Sequence, residues 1–262
     1  MNCDPKTLAE NARNFPDTLN DGIDIYVLTQ WAGQASPYVP SGTMPPIVDN
    51  LLFLYDFDNV GMVEGQQVTF ATDFAPHSYH LTNGAVAPPI FHRDGTINNH
   101  GYLEFLGNTS GLSNDFAAAA RPITIYFVAE PTATHAGEPS FRYFGSAPLR
   151  PECSIYAASG LFFVDTGVST QSCLTSPGWQ IFQLRLSTPD SLFMIWNGVC
   201  RNSNTGNNPL AGFSICARSS AAPVAARKMK VSYCVGYSAL HGDAVGQEME
   251  TIRNWLKARF GI

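Results

Sequence analysis

Charge is scarce in this chain. Only 14% of its 262 residues are Asp, Glu, Lys or Arg, against about a quarter in ordinary soluble domains. A surface so poor in charge must be solvated by Ser, Thr, Asn, Gln and Gly. The fifteen Lys and Arg are scattered, with Arg227, Lys228 and Lys230 as the one tight group, and the formal net charge is −6. Phosphate backbones need a coherent basic face, so nucleic acid is not expected as a partner. Long apolar runs are missing too. Nothing approaches the roughly 18 apolar residues of a membrane-spanning helix. Met1-Asn2-Cys3-Asp4-Pro5-Lys6 runs into polar sequence without an apolar signal-peptide core. The expectation is a soluble protein made in a cytoplasm, with no membrane insertion.

The motifs of catalysis are equally thin. Glycoside cleavage needs two or three carboxylates gathered at one bond, commonly as Glu-x-Asp-x-x-Glu on one strand. Here Glu104 stands alone on its stretch, Asp56 and Asp58 flank Phe57 without a third acid, and Glu248 and Glu250 sit two apart in a helical pattern, on different faces. No G-x-S-x-G elbow and no G-x-G-x-x-G loop is present. His77-Ser78-Tyr79-His80 offers two imidazoles, but behind Pro76 it reads as a surface loop rather than a metal site; His92, His100, His135 and His241 show no partners. The six cysteines (Cys3, Cys153, Cys173, Cys200, Cys216, Cys234) contain no C-x-x-C pair. They read as buried thiols, with a Cys153–Cys173 bridge across a hairpin as the alternative. The chain is not expected to be an enzyme.

What is present falls into three parts. In residues 1–33, Asp4 caps and Pro5 opens a short helix carrying Leu8, Ala12 and Phe15; a second begins near Asp21 and carries Ile25, Leu28 and Trp31, with Gly33 as its stop. Helices this short need something to pack on. Their apolar face (Leu8, Phe15, Ile25, Leu28, Trp31) is expected to dock on a foreign surface, an amphipathic helix in an apolar groove being a known recognition mode. Packing back onto their own domain is the alternative. Residues 34–46 hold four prolines and no periodicity, the composition of a semi-extended spacer.

From residue 47 the pattern becomes short apolar runs broken by turns. Strands are expected at 51–57, 101–106, 123–130, 160–165, 179–186, 191–197, 213–217 and 230–237, rich in β-branched and aromatic residues. The nearly all-apolar run Ile123–Ala129 is expected to be central, and Asn197-Gly198 marks a hairpin turn. An amphipathic helix over 243–260 closes the chain before Gly261. The fold class is mainly β, a two-sheet sandwich with a short helical N-terminal segment and a C-terminal helix.

Three stretches in this order resemble the concanavalin A-like lectin/glucanase superfamily, in particular its laminin-G-like jelly rolls. They are Tyr102–Gly107 with Pro122–Val128; Trp179–Leu184 with Leu192–Gly198; and Val231–Leu240 with the closing helix through Gly261. The resemblance spans about residues 47–262 and implies a jelly-roll topology. Asp4–Phe15 with Ile25–Gly33 is similar to a leader at the start of tailed-bacteriophage structural proteins, departing at Asn14 and Phe15, where that family carries cysteines.

Together these resemblances imply a virion protein, a capsid decoration or fibre-type component made in the host cytoplasm and displayed on the particle. Its helices would join other virion proteins, several copies would assemble for avidity, and the jelly roll would touch host glycans. A secreted-type bacterial glycan-binding or glycan-cleaving protein, and a purely structural lattice protein, are the competing readings. Sugar recognition needs aromatic faces and planar polar groups, for which Tyr79, His80, Arg142, Tyr143 and Asn202 are the candidates. No cofactor is expected; were calcium held as in some relatives, Asp56, Asp58, Asp165 and Asn197 would supply the oxygens, although ordinary turn and strand-end roles are favoured for these four.

Overall fold

In the computed structural model the described residues are 42, 44–58, 62–83, 87–106, 110–131, 178–187, 209–216 and 229–262, together with strand backbones at 141–143, 152–156, 161–165, 170–174, 191–195 and 198–202. The chain divides into two units, Met1–Thr43 and Met44–Ile262. The expected helices of residues 4–33, with Leu8, Phe15, Ile25, Leu28 and Trp31, lie outside the described residues.

The second unit is mainly β, and every pairing between its strands is antiparallel. Its hub is β16 (Met229–Tyr237). One edge of β16 pairs along its length with β7 (Ile123–Pro131); the other is shared by β5 (His100–Phe105) and β1 (Leu51–Asp56), set end to end. The seam between β5 and β1 falls where β16 is irregular, between Val231 and Tyr233. There Ser232 accepts from the Phe57 N–H through its carbonyl at 3.0 Å and donates its hydroxyl to the Gly101 carbonyl at 2.6 Å. Backbone groups that a broken ladder would orphan are thus paired. Beyond β7 the sheet continues through β12 (Gln180–Leu186), β13 (Ser191–Ile195) and β14 (Gly198–Asn202); beyond β5 it ends at β4 (Ile90–Asp94). β13 and β14 pair with Ile195 opposite Gly198, so Gly198 opens β14 rather than sitting in the expected turn, and Asn197 lies outside the described residues.

Two four-stranded sheets complete the unit. One runs β15 (Leu210–Ile215), β6 (Leu112–Ala119), β3 (Leu81–Thr82), β2 (Phe70–Ala71); the other runs β11 (Thr170–Leu174), β10 (Leu161–Asp165), β9 (Glu152–Tyr156), β8 (Phe141–Tyr143). The Cys153–Cys173 bridge, the alternative to buried thiols, is contradicted. Cys153 lies on β9 opposite Val164 and Cys173 on β11 opposite Phe162, with β10 between them, so their Cα atoms are more than two strand spacings, about 9.5 Å, apart. A disulfide spans at most about 7 Å.

Alternation along the strands explains the layers. Ile123, Ile125 and Phe127 of β7, Phe53 and Tyr55 of β1, and Phe182 and Leu184 of β12 join Leu81, Leu112 and Phe213 of the smaller sheet in one core. The Phe53 and Phe213 ring centres are 4.4 Å apart. All of residues 123–129 are at 0% exposure, because the other face of β7 is covered as well. That cover comes in part from the 239–241 segment, through Thr124 and Tyr126, while β16 beside it presents Tyr233 to α1 (Glu248–Phe260).

Helix α1 buries Met249, Ile252, Leu256 and Phe260, and Tyr233 meets Trp255 edge-on at 5.6 Å. It starts later than the 243–260 periodicity suggests. Gly246 turns with φ +80, and Glu248 and Glu250 fold back to accept from the N–H groups of Gly242 and Gly246. Acids in the first turn and Lys257 and Arg259 in the last oppose the helix dipole. Gly261, at φ +69, ends it with a 2.8 Å bond to the Lys257 carbonyl. Among the described residues no helix is long and apolar enough to cross a membrane.

Candidate functional site

Of the sugar-binding candidates named from sequence, Tyr79 and His80 lie in the loop between β2 and β3. Arg142 and Tyr143 are on β8 and Asn202 ends β14; their side chains lie outside the described residues. The 73–80 loop is organised by Asp73, a fully buried carboxylate. It accepts from the N–H groups of Leu54 at 2.7 Å, Ala75 at 2.9 Å and Tyr79 at 2.8 Å. Burial pushes its carboxyl above the ordinary range although all three bonds pull the other way. The Asp73 N–H in turn donates to Nδ1 of His80 at 3.0 Å. Tyr55 donates its hydroxyl to the Tyr79 carbonyl at 2.6 Å, and Asn114 Nδ2 donates to the His80 carbonyl at 2.7 Å.

The rings follow from this backbone. Tyr79 stacks near-parallel with His77 at 5.3 Å and with Phe116 at 4.3 Å, while His80 tilts against Phe70 at 5.1 Å. His77 and His80 therefore serve different ring contacts and do not converge as ligands. Among the described residues no group of three or more His, Cys, Asp or Glu is arranged to hold a metal. Asp56 and Asp58 are engaged by other side chains: Asp56 meets Arg259 at 2.6 Å, and Asp58 meets Arg93 and His100, each at 2.7 Å. Asp165 is on β10 with its side chain outside the described residues, as is all of Asn197.

A second constellation lies on the outer face of the large sheet, beside α1. Residues 92 on β4, 102 and 104 on β5, 230 on β16 and 130 on β7 share that face by strand alternation and register. Lys230 lies between the cross-strand neighbours Glu104 and Glu130. Its ammonium meets Glu130 at 2.7 Å and sits 5.3 Å over the Tyr102 ring. Burial alone would lower the lysine; the bond and charge of Glu130 outweigh it and hold the ammonium above its ordinary range. His92 stands between two carboxylates, with Nδ1 on Glu64 and Nε2 3.4 Å from Glu104. The His92 hydrogen bond holds the Glu64 carboxyl below its ordinary range, helped by the Arg93 N–H at 2.9 Å.

Trp179, just ahead of β12, completes the strip. It meets Tyr102 edge-on at 5.5 Å and 69° and donates Nε1–H to Asp94 at 3.0 Å. Asp94 also accepts from the Thr96 N–H at 2.8 Å and hydroxyl at 2.7 Å, closing the single 3-10 turn Gly95–Ile97. Its partial burial works to raise the carboxyl, but these bonds win and keep it low. Lys230 and Glu130 are each 22% exposed, His92 25% and Glu104 27%. At that exposure the side chains are half-buried, with Glu130 Oε2 itself buried against the Lys230 ammonium.

Sequence reasoning missed this strip because the partners are far apart along the chain. His92 and Glu104 lie across a hairpin, Glu130 and Lys230 lie one hundred residues apart, and Glu104 looks solitary on its own strand. The histidines read as partnerless gain partners the same way: His92 with Glu64, His100 with Asp58, and His241 with Tyr126 at 2.8 Å. The sequence signal that pointed here was the alternation of Tyr102 and Glu104 beside an aromatic at 179.

No protein-family model and no curated protein matches the sequence. Solved structures do. A Trypanosoma rangeli sialidase in complex with sialic acid superposes with a TM-score of 0.56 at 12% identity, over 90% of this chain and 38% of that one. A structure concerning botulinum neurotoxin type C, whose cell entry depends on two ganglioside molecules, gives 0.54 at 10% identity over 80% and 52%. A GH54 α-L-arabinofuranosidase gives 0.52 at 12% over 74% and 50%. The likeness is one of fold alone. The chain spans about two fifths to one half of these neighbours' lengths.

Proposed function

We propose that the 44–262 unit is a concanavalin A-like, laminin-G-like jelly-roll lectin domain that binds glycans on the outer strip of its large sheet. The observation that carries this is Trp179, half-buried and fixed by Asp94 and Tyr102, beside the half-buried side chains of Glu104, Glu130 and Lys230. An aromatic face for the apolar side of a sugar ring, and carboxylate and ammonium groups for its hydroxyls, are the chemistry of a sugar site. A sialidase in complex with sialic acid, a neurotoxin whose cell entry depends on two ganglioside molecules and an arabinofuranosidase are alike in fold, which supports the reading.

Binding rather than bond cleavage suits the strip. Glycoside hydrolysis needs one carboxyl kept protonated near neutral pH, whereas Glu64 and Asp94 are held low and Glu130 is ion-paired. Trp179→Ala is expected to weaken binding to a glycan array at least about tenfold, a loss of about 1.4 kcal/mol. Unchanged binding by the folded variant sinks the assignment.

The setting we propose is the surface of a phage particle, read from the leader-like residues 4–33. Deleting residues 1–33 is then expected to leave glycan binding intact and abolish incorporation into particles. Truncated protein still found in purified virions would refute the docking role.

A further inference from the structure

We infer that the strip selects neutral, hydroxyl-rich sugars and turns away sugars bearing a carboxylate, the opposite of the sialic acid named for its fold neighbours. The inference rests on the glycan-binding reading above and concerns which glycans the site admits. Four carboxylates border Trp179 and Tyr102: Glu64, Asp94, Glu104 and Glu130. Among the described residues the strip's one permanent cation, Lys230, is engaged, and so is Arg93, which alternation puts on the other face of β4. The Lys230 ammonium is 2.7 Å from Glu130 and lies over Tyr102. Arg93 gives one guanidinium nitrogen to Asp58 at 2.7 Å and to the Asn99 carbonyl at 3.2 Å. Of the remaining described cations, Arg185 reaches the His241 carbonyl and Asp243, Arg259 reaches Asp56, and Arg121, Arg253 and Lys257 are engaged as well.

Among the described residues an incoming carboxylate would therefore find no cation without breaking an internal pair, and would lie among like charges, which an interface tolerates poorly. A neutral sugar meets the opposite situation. Its hydroxyl protons are donors, and carboxylates accept through up to four lone-pair sites each. Bonds to an ionised acceptor are roughly twice as strong as neutral ones. Glu104, with one contact to His92 at 3.4 Å, and Glu64, 61% exposed at its side chain, have acceptor capacity facing outward. Trp179 supplies the apolar face.

The test uses the full chain at pH 7.5. The array carries neutral oligosaccharides ending in galactose, glucose, mannose or N-acetylglucosamine, each beside a counterpart bearing sialic or glucuronic acid. The expected result is at least one neutral glycan bound about tenfold or more tightly than its acidic counterpart at 20 mM salt, the ratio shrinking toward one at about 0.5 M, where the screening length falls to roughly 4 Å. Glu64→Lys, placing a cation at the exposed margin, is expected to narrow the ratio without added salt. Equal or tighter binding of the acidic counterparts overturns the selectivity and leaves the glycan-binding reading standing. A ratio indifferent both to salt and to Glu64→Lys also overturns it, because shape rather than charge would then discriminate. No binding to any member, by protein with a cooperative unfolding transition, overturns the glycan-binding reading and the selectivity with it.

Discussion

The 73–80 loop and the outer strip both gather aromatic rings around acids, yet they spend their polar atoms differently. In the loop, Asp73 is buried and its oxygens serve three backbone N–H groups; His80 Nδ1 and the carbonyls of Tyr79 and His80 are likewise engaged by the fold. On the strip the backbone is ordinary antiparallel sheet, already satisfied by its ladder. Its carboxylates are left to bind side chains, with Glu64 exposed and Glu104 and Glu130 half-buried. The acids also shift in opposite senses: Asp73 is pushed up by burial, while Asp94 and Glu64 are drawn down by the groups that donate to them. An aromatic cluster around a buried acid is a device for holding a loop. One around half-exposed acids keeps acceptors for something else.

The most disruptive way to test that contrast is Asp73→Ala. It leaves the N–H groups of Leu54, Ala75 and Tyr79 without an acceptor in the interior, and one unsatisfied buried donor costs about 1–3 kcal/mol. A loss of about 3 kcal/mol or more in urea-unfolding free energy is expected, with glycan binding by the remaining folded protein unchanged. A stability change under about 1 kcal/mol would show that the carboxylate does not organise the loop.

How much of this was legible in the sequence depended on the range of the interactions involved. The run Ile123–Ala129 was readable as a central strand because burial on both faces demands unbroken apolar sequence, and all seven residues are fully buried. The closing helix was readable from its periodicity and from Gly261. β6 was not, since Leu112-Ser113-Asn114-Asp115-Phe116 followed by three alanines carries little strand preference; its pairing with β15 holds it extended. β4 escaped because Ile90-Phe91-His92-Arg93-Asp94 is polar on the face that carries the strip. The disulfide reading failed for a related reason, as nothing in the spacing of Cys153 and Cys173 shows that β10 runs between their strands. Tyr79 and His80 were found because they are conspicuous in one short loop. The strip was not, because register brings its members together from five separate stretches of chain.

The smallest expected effect separates the two regions most cleanly. Phe70 is 48% exposed and touches the ring of His80, which makes it the accessible hydrophobic ring of the loop cluster. Phe70→Ala removes that surface without orphaning a polar group, so stability should move by no more than about 0.5 kcal/mol, as is usual for exposed positions. If glycans bind on the strip, affinity in the same array should equal that of the unaltered chain, while Trp179→Ala loses about tenfold or more. The reverse pattern, with binding lost on removing Phe70 and kept without Trp179, would invert the assignment. The rigid loop would then be the sugar platform, and the alternating charges across β4, β5, β16 and β7 would be a cross-strand ladder that stabilises the sheet.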